Sequence, residues 1–404
     1  MINILFLLSH TEKGGGEVVI YNLLKYINRN QFKPFVGHVD FRKGEFIREF
    51  EKLELEPVDF HASHLRNLPV TLAVILRLVH FIRDNSIDVV FTSSAHNHIY
   101  AALAKRINHI PVVTYVMNHY QDRLKDNPLI VRVALGLRAD YYLAASFSCL
   151  KPLKKLIPST APSQVVYHGI DRDFIRREAK ASLIRKGLGL KEGDKLISII
   201  SRLQRWKGQD VFLHAASLIA KVHPEARFCL VGGALFGMDE DYPDELRHLI
   251  DSLGLTNLCW LVGHQDNVQD WISASDIVVS ASKTPEPGAI VIMEAMSLGK
   301  PVVATFCGAP SELIADGISG ILCKPDSAED LASKVTKLLD DENLAYKIGQ
   351  TAKNIALERF SAERMTREIE EVLRQIVPET TKKKSILFTL SSCKRSGHEM
   401  SMRN

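Results

Sequence analysis

The chain has 404 residues, of which 46% are hydrophobic and 24% charged, and its formal net charge is +4. These values exclude a disordered or fibrous chain and favour a globular protein of about two to three domains. No apolar run approaches the roughly 18 residues of a membrane span, and the first ten residues predict a buried strand instead of a signal peptide. The six cysteines form no C-x-x-C pair, which favours reduced thiols and a cytoplasmic location.

Charge is distributed unevenly along the chain. Residues 1–170 hold 20 basic and 14 acidic residues, a balance of +6, whereas residues 171–378 hold 25 and 31, a balance of −6. A basic front half can attract phosphates, acidic lipids or nucleic acid, although a solvated mixed surface gives the same balance. Nothing else in the sequence favours a nucleic-acid partner.

Short apolar runs alternate with amphipathic stretches along most of the chain. Because buried parallel strands lose the polar alternation of half-exposed ones, these runs predict strands covered by helices on both faces. The strands are predicted at 2–8, 35–39, 88–92, 112–116, 140–145 and 164–167, and then at 195–201, 227–233, 258–263, 276–282, 300–305 and 320–324. Two such series predict an α/β protein with two doubly wound, Rossmann-like domains that face each other across a cleft.

The boundary between the domains is expected near 167–174. We therefore expect an N-terminal domain over 1–170, a C-terminal domain over 171–360, and a helix over 361–377 that crosses back to the N-terminal domain. The basic tail, 378–404, has no sustained pattern and is predicted to be disordered.

Two glutamates bracket a mostly apolar segment in "EPGAIVIMEAM". Glu286 lies in the loop after a predicted strand, and Glu294 lies on the helix that follows. Carboxylates suit sugar diols because they accept hydrogen bonds in pairs, and the helix start at Gly288 and Ala289 would offer N–H groups to a phosphate. On spacing alone, a solvated loop residue and a surface helix residue explain the two glutamates equally well.

Two cations follow an earlier strand of the same series, in "ISRLQRWKGQD". Arg202 comes at the carboxyl end of the strand and Lys207 lies five residues further on, beside Gly208. Such a pair suits a diphosphate, although a solvated loop is the alternative.

Arg202 and Lys207 followed by Glu286-x7-Glu294 resemble the retaining glycosyltransferases of family 4, which have the GT-B fold. The resemblance covers about residues 1–377 and includes "GGGEVVIYNLL", "VVYHGID" and "GAPSELIADGISGIL". It implies a hexosyltransferase-type enzyme that needs no cofactor or bound metal. Its co-substrate would be a nucleotide-sugar, with UDP- and GDP-sugars expected first.

The resemblance also implies a role for each matching residue. Arg202 and Lys207 would neutralise the donor diphosphate, Glu286 would hold hydroxyls of the transferred sugar, and Glu294 would bind the ribose. The implied donor site also takes in these residues: Gly15, Gly16, Gly263, His264, Gly288, Ala289 and Ile290. The chain departs from the family where Phe-Gly usually follows Glu-Pro, because Gly288-Ala289 stands there, and this puts the loop geometry and the donor preference in question.

The N-terminal half is expected to supply the acceptor side. Three contiguous glycines, Gly14 to Gly16, separate the first strand from the first helix and do not form a G-x-G-x-x-G fingerprint. His119 follows the strand 112–116, where the resemblance implies a catalytic histidine near the donor sugar. His96 and His98 are the alternatives, since they too follow a strand.

Several other readings remain as expectations. Asp239 and Asp241 are expected to form an acidic surface loop in preference to a metal site.

The acceptor would be a glycan, a lipid or a small molecule. The helix 69–83 could make a peripheral contact with an anionic membrane surface, although a core-facing helix is preferred. The alternative to an enzyme is a nucleotide-sugar-binding partner without turnover. The absence of a dinucleotide fingerprint argues against a nicotinamide oxidoreductase.

Overall fold

The computed structural model describes residues 1–9, 11–39, 44–62, 65, 67–120, 128–235 and 237–377. The tail that the sequence predicts to be disordered, 378–404, lies outside these residues. The chain divides into two compact units: Met1–Tyr167 together with 363–377 forms the first, and His168–Ala362 forms the second.

The first unit contains a seven-stranded sheet in the order β3-β2-β1-β4-β5-β6-β7, and all its strand pairs are parallel. The strands are β1 Ile2–Leu8, β2 Phe32–His38, β3 Val58–Asp59, β4 Val89–Thr92, β5 Val112–Val116, β6 Tyr141–Ala144 and β7 Ser163–Val165. The helices are Gly15–Tyr26, Leu68–Asp84, Ala95–Asn108, Pro128–Leu137, Phe147–Leu153 and Ala362–Ile376, and Glu45–Leu53 is a 3-10 helix.

The last helix, Ala362–Ile376, joins this unit through both apolar and polar contacts. Met365, Ile369 and Leu373 on one of its faces are fully buried, as the 3.6-residue period predicts. The Glu370 carboxylate accepts a hydrogen bond of 2.7 Å from the backbone N–H of Asn28.

The second unit contains a six-stranded parallel sheet in the order β10-β9-β8-β11-β12-β13. The strands are β8 Lys195–Ile200, β9 Ala226–Val231, β10 Cys259–Leu261, β11 Ile277–Ser280, β12 Val302–Thr305 and β13 Ile321–Cys323. The helices are Arg172–Arg176, Ala181–Gly187, Gln209–Ile219, Tyr242–Ser252, Val268–Ala274, Ile290–Ser297, Pro310–Leu313, Ala328–Asp340 and Glu342–Arg359, and Arg205–Lys207 is a 3-10 helix.

The predicted α/β class with two Rossmann-like domains is confirmed. Each predicted apolar run overlaps an observed strand, and the largest shift is in β2, which begins at Phe32 instead of 35. The two-residue strand β3 was not predicted because it is too short to show a period. In the second unit the strand order reverses between β8 and β11, and the carboxyl ends of strands at such a switch point are where open α/β sheets bind ligands.

Candidate functional site

Lys207 and Glu286 meet in a buried ion pair. The Lys207 ammonium donates to both carboxylate oxygens of Glu286, at 2.7 Å to Oε1 and 2.6 Å to Oε2. The exposed fraction of the side chain is 15% for Lys207 and 7% for Glu286. Two residues that lie 79 positions apart in sequence are therefore held together away from most of the solvent.

The pair lies together because the strands before the two residues are neighbours. Lys207 follows β8, Glu286 follows β11, and β8 pairs with β11 in parallel, so both loops leave the same edge of the sheet. This edge carries the switch point of the second unit, where a ligand is expected.

The turn that carries Lys207 touches the loop after β11. Gly208 has φ 72°, and a Cβ built on it would lie 2.0 Å from the carbonyl oxygen of Ala281, so only glycine fits. The backbone N–H of Lys283 donates to the Trp206 carbonyl at 2.8 Å. These contacts fix the distance between the loops and thus the ion pair.

The backbone of Glu286 is clamped by the loop after β12. Its N–H donates to the Cys307 carbonyl at 3.0 Å, and its carbonyl accepts from Ala309 at 2.8 Å. Gly308, with φ 84°, packs so closely that a Cβ on it would lie 2.4 Å from the Glu286 nitrogen. Glu286 is thus held by its main chain as well as its side chain.

Opposing effects act on the pKa of Lys207. Burial lowers the pKa of the Lys207 ammonium, the Glu286 carboxylate raises it, and the Arg202 charge lowers it further. Arg202 lies five residues before Lys207 in the loop after β8, and its carbonyl accepts from the Gln209 side chain at 2.8 Å. Arg202, Lys207 and Glu286 thus lie at one edge of the sheet.

The helix Ile290–Ser297 begins directly after the loop of Glu286. Its first turn follows Gly288 and Ala289, and Glu294 lies half-buried in its middle. A Cβ on Gly288 would lie 2.4 Å from Nε2 of His168, so the side chain that the family usually carries there would require the His168 ring to move. Ala289 has φ 47°, a left-handed conformation that costs a residue with a Cβ about 1–2 kcal/mol.

The loops after β9 and β10 border the same edge. The N–H of Gly232 donates to the Gly263 carbonyl at 2.9 Å, and Gly233 approaches the backbone of His264. A Cβ on Gly232 would lie 1.8 Å from the Ser201 carbonyl oxygen, so this glycine links the loop after β9 to that after β8. The His264 ring is exposed and lies 3.7 Å from Asp266.

The predicted residues of the first unit gather at the carboxyl edge of its own sheet. Gly15 opens the first helix, and a Cβ on Gly16 would lie 3.2 Å from the Met117 side chain in the loop after β5. His119 in that loop is 8% exposed, with its Nε2 3.4 Å from the Ser148 hydroxyl.

The two alternatives to His119 lie on the helix Ala95–Asn108. His98 is buried and bonds the Thr114 hydroxyl at 2.8 Å, and burial lowers its pKa to about 4. His96 stacks edge-on against Tyr100, with 5.5 Å between ring centroids. These contacts give His98 a structural role.

The acidic segment at 239–241 binds a cation of the protein itself. Asp241 accepts from Arg205 at 2.9 Å and Asp239 lies 3.8 Å from the same guanidinium. Among the described residues, no group of three or more His, Cys, Asp or Glu side chains is placed to hold a metal ion. No helix in the described ranges combines the length and apolarity needed to cross a bilayer.

Sequence reasoning missed Ser282 and Gly308 and named Gly208 only as the neighbour of Lys207, whereas all three position the ion pair. Ser282 donates to Oε2 of Glu286 at 2.7 Å and is fully buried. A serine four residues before the glutamate carries no periodic signal. Glycines in loops are common, so nothing distinguished these two from the others.

The second unit thus presents cations, a rigid carboxylate and a helix start at one sheet edge. Cations and backbone N–H groups at a helix start are the partners that phosphates take, and a carboxylate is the partner of hydroxyl groups. The arrangement can bind a phosphorylated ligand that also carries hydroxyls.

Two protein-family models match the chain. Residues 181–355 match the model described as "Glycosyl transferases group 1", and residues 13–174 match "Glycosyltransferase Family 4". The first match contains Arg202, Lys207, Glu286 and Glu294, and the second contains Gly15, Gly16 and His119.

Relatives and solved structures agree with these models. The chain is 26% identical, over 76% of its length and 80% of the relative, to the N-acetyl-alpha-D-glucosaminyl L-malate synthase of Bacillus anthracis. The crystal structure of HepE from Anabaena, in complex with UDP and glucose, superposes with a TM-score of 0.83 at 27% identity and covers 93% of this chain and all of that one. A glycosyltransferase from Rickettsia africae, at 23% identity, has the same fold with a TM-score of 0.79, over 93% of this chain and 98% of its own. The chain belongs to the group 1 glycosyltransferases of family 4, which have the GT-B fold.

Proposed function

We propose that the protein is a retaining hexosyltransferase that moves a sugar from a nucleoside diphosphate sugar to an acceptor. The observation that carries the proposal is the buried Lys207–Glu286 pair, with Arg202 beside it, at the switch point of the second unit. The acceptor is a glycan, a lipid or a small molecule, bound on the N-terminal side of the chain.

Catalysis would rest mainly on stabilising the leaving group. As the bond from sugar to phosphate breaks, negative charge grows on the nucleoside diphosphate, and Arg202 and Lys207 are the cations placed to meet it. Because Lys207 donates to both oxygens of Glu286, a donor diphosphate would compete with this carboxylate for the ammonium. Glu286 is then available to a hydroxyl of the sugar, which fixes the reacting carbon.

The remaining residues would hold the rest of the donor. Glu294 binds the ribose hydroxyls, the backbone around Gly263 and His264 meets the base, and the helix start from Gly288 to Ile290 offers N–H groups to the diphosphate. The roles of Gly15, Gly16 and His119 in the first unit remain predictions from the family resemblance.

We propose UDP as the donor nucleotide. The support is HepE, whose crystal structures contain UDP with glucose and UDP-glucose. A screen of thermal stabilisation by UDP, GDP and ADP tests the base, since a ligand at a hundredfold excess over its Kd stabilises by about 2.7 kcal/mol. Stabilisation by GDP alone would contradict the choice of UDP.

Peripheral contact with an anionic membrane surface is part of the proposal. The helix Leu68–Asp84 buries one face and exposes three leucines spaced four residues apart: Leu68 at 73%, Leu72 at 58% and Leu76 at 46%. Arg77 and Arg83 on the same helix supply charge that anionic headgroups attract. This stripe should bind vesicles that contain phosphatidylserine in a sedimentation assay, and Leu72→Gln should weaken the binding. Equal sedimentation of the variant would contradict the contact.

Turnover separates the enzyme from its alternative. An enzyme releases UDP from UDP-glucose, slowly to water and faster with an acceptor, whereas a non-catalytic binding partner would be stabilised by the donor without consuming it. Donor binding without any release of the nucleotide, across UDP-, GDP- and ADP-glucose and a panel of acceptors, would favour the binding partner.

A further inference from the structure

The two oxygens of the Glu286 carboxylate have different partners. Among the described residues, Oε1 accepts only from Lys207, at 2.7 Å. Oε2 accepts from Lys207 at 2.6 Å and also from the hydroxyl of Ser282 at 2.7 Å. The carboxylate is therefore held on one side by a cation alone and on the other by a cation and a neutral donor.

Ser282 is itself held in place. It is fully buried, and its carbonyl accepts a bond of 2.8 Å from the hydroxyl of Thr305, which is 1% exposed and ends β12. Ser282 follows β11 in the same loop as Glu286, four residues before it. Removing the hydroxyl would change one hydrogen bond without altering the backbone contacts of Ser282.

The Lys207 ammonium and the Ser282 hydroxyl differ in whether the diphosphate of a bound nucleotide-sugar can compete with Glu286 for them. The Lys207 ammonium is charged and stands on a flexible four-carbon stem, so a diphosphate can compete with Glu286 for it. The Ser282 hydroxyl is neutral and enclosed, so it has no such alternative. When Lys207 turns to the phosphate, Ser282 is the side-chain contact of the carboxylate that remains among those described.

We propose that Ser282 is a positioning residue that holds Glu286 through Oε2 when Lys207 turns to the donor diphosphate, so that Oε1 is presented to a hydroxyl of the transferred sugar. The inference rests on the proposed function and adds to it the residue that orients the carboxylate and the oxygen that meets the sugar. Without Ser282 the carboxylate would still bind a sugar, but in several orientations.

The test is a double-mutant cycle on UDP-glucose turnover, with UDP affinity measured alongside. Ser282→Ala should lower kcat about tenfold, the usual effect of one hydrogen bond to a charged group, and leave the Kd for UDP within about twofold. In a Glu286→Gln background the same change should lower kcat less than about twofold, because the orientation it protects is already lost. Ser275→Ala is the matched control, since Ser275 is equally buried and bonds Ser198 at 2.7 Å at the amino end of β11.

Three results would overturn the inference. They are a wild-type kcat for Ser282→Ala, an equal fall in the Glu286→Gln background, and a loss of UDP affinity as large as the loss of kcat. If Ser282→Ala does not fold, Ser282→Cys is the second variant, since it keeps the shape of the side chain with a slightly larger and weaker donor. It should lower kcat in part, so a wild-type rate would count against the inference. No turnover by the wild type would instead overturn the proposed function, and this inference with it.

Discussion

Replacing Gly208 by alanine should push apart the two loops that carry Lys207 and Glu286. A Cβ at this position would lie 2.0 Å from the Ala281 carbonyl oxygen, whereas ordinary contact begins at 3.4 Å. The loops must therefore separate by more than an ångström. That movement would break the hydrogen bond from Lys283 to the Trp206 carbonyl and lengthen the ion pair.

The expected loss of stability follows from two contributions. A left-handed conformation costs alanine about 1–2 kcal/mol, and the stiffer unfolded chain returns roughly 0.4–1 kcal/mol, which leaves a cost of about 1 kcal/mol. The lost backbone hydrogen bond and the distorted ion pair add about 2 kcal/mol. Gly208→Ala should thus lower the free energy of unfolding by about 3 kcal/mol.

Gly254→Ala is the matched control for this prediction. Gly254 has φ 69°, nearly the value of Gly208, but a Cβ on it would meet nothing within 4 Å. Urea denaturation of both variants separates the backbone cost, which they share, from the contact with Ala281. Turnover of UDP-glucose should fall for Gly208→Ala only. Equal unfolding free energies for the two variants would refute the close approach of the loops.

Three further predictions concern donor binding, pH and metal. Glu294→Gln should raise the Kd for UDP-glucose about tenfold with little change in kcat, because a ribose contact is made in the ground state and the transition state alike. Binding and rate measurements test this, and a fall in kcat at unchanged Kd would contradict the assignment. His98 has a folded pKa of about 4 against 6.5, so it is neutral in the folded state and protonates on unfolding, and stability is lost as the pH falls from 6.5 towards 4. Between pH 7 and 4.5, the wild-type protein should lose about 2 kcal/mol more of its unfolding free energy in urea than His98→Asn does, and an equal loss in both proteins would contradict it. EDTA should leave UDP stabilisation and turnover unchanged, because Arg202 and Lys207 supply the charge that a metal otherwise brings; activity lost in EDTA and restored by Mg²⁺ or Mn²⁺ would count against this.

The sequence predicted the strand series and hence the fold, because buried parallel strands are continuous apolar runs that helices separate. The family resemblance supplied roles for Lys207 and Glu286, but not their contact. That contact depends on β8 and β11 being neighbours, and the order of strands in a sheet is not a local property of the sequence. His98 and His119 both follow a strand and both are buried. They differ in their setting, because His98 lies on a helix and bonds Thr114, whereas His119 lies in the loop after β5, beside Ser148.

Several glycines of the site are needed because other loops pack against them, and no sequence pattern indicates such contacts. Gly208 and Gly308 are required by atoms from distant loops. The Gly288-Ala289 departure was visible in the sequence, but its physical setting was not: the ring of His168 fills the space beside Gly288, and Ala289 carries the left-handed conformation that a glycine would adopt more easily. The start of β2 at Phe32 was missed because Lys33 and Pro34 interrupt its apolar run.

The release of UDP from UDP-glucose by wild-type protein and by Lys207→Ala tests the central claim most directly. Lys300→Ala is the control, since Lys300 is a half-buried lysine of the same unit that donates to the Ser273 carbonyl at 2.7 Å, before β12 and away from the switch point. We predict that Lys207→Ala lowers kcat by on the order of 100-fold, or about 3 kcal/mol, in folded protein, and that Lys300→Ala keeps the wild-type rate. A well-folded Lys207→Ala protein with near wild-type kcat would contradict the account.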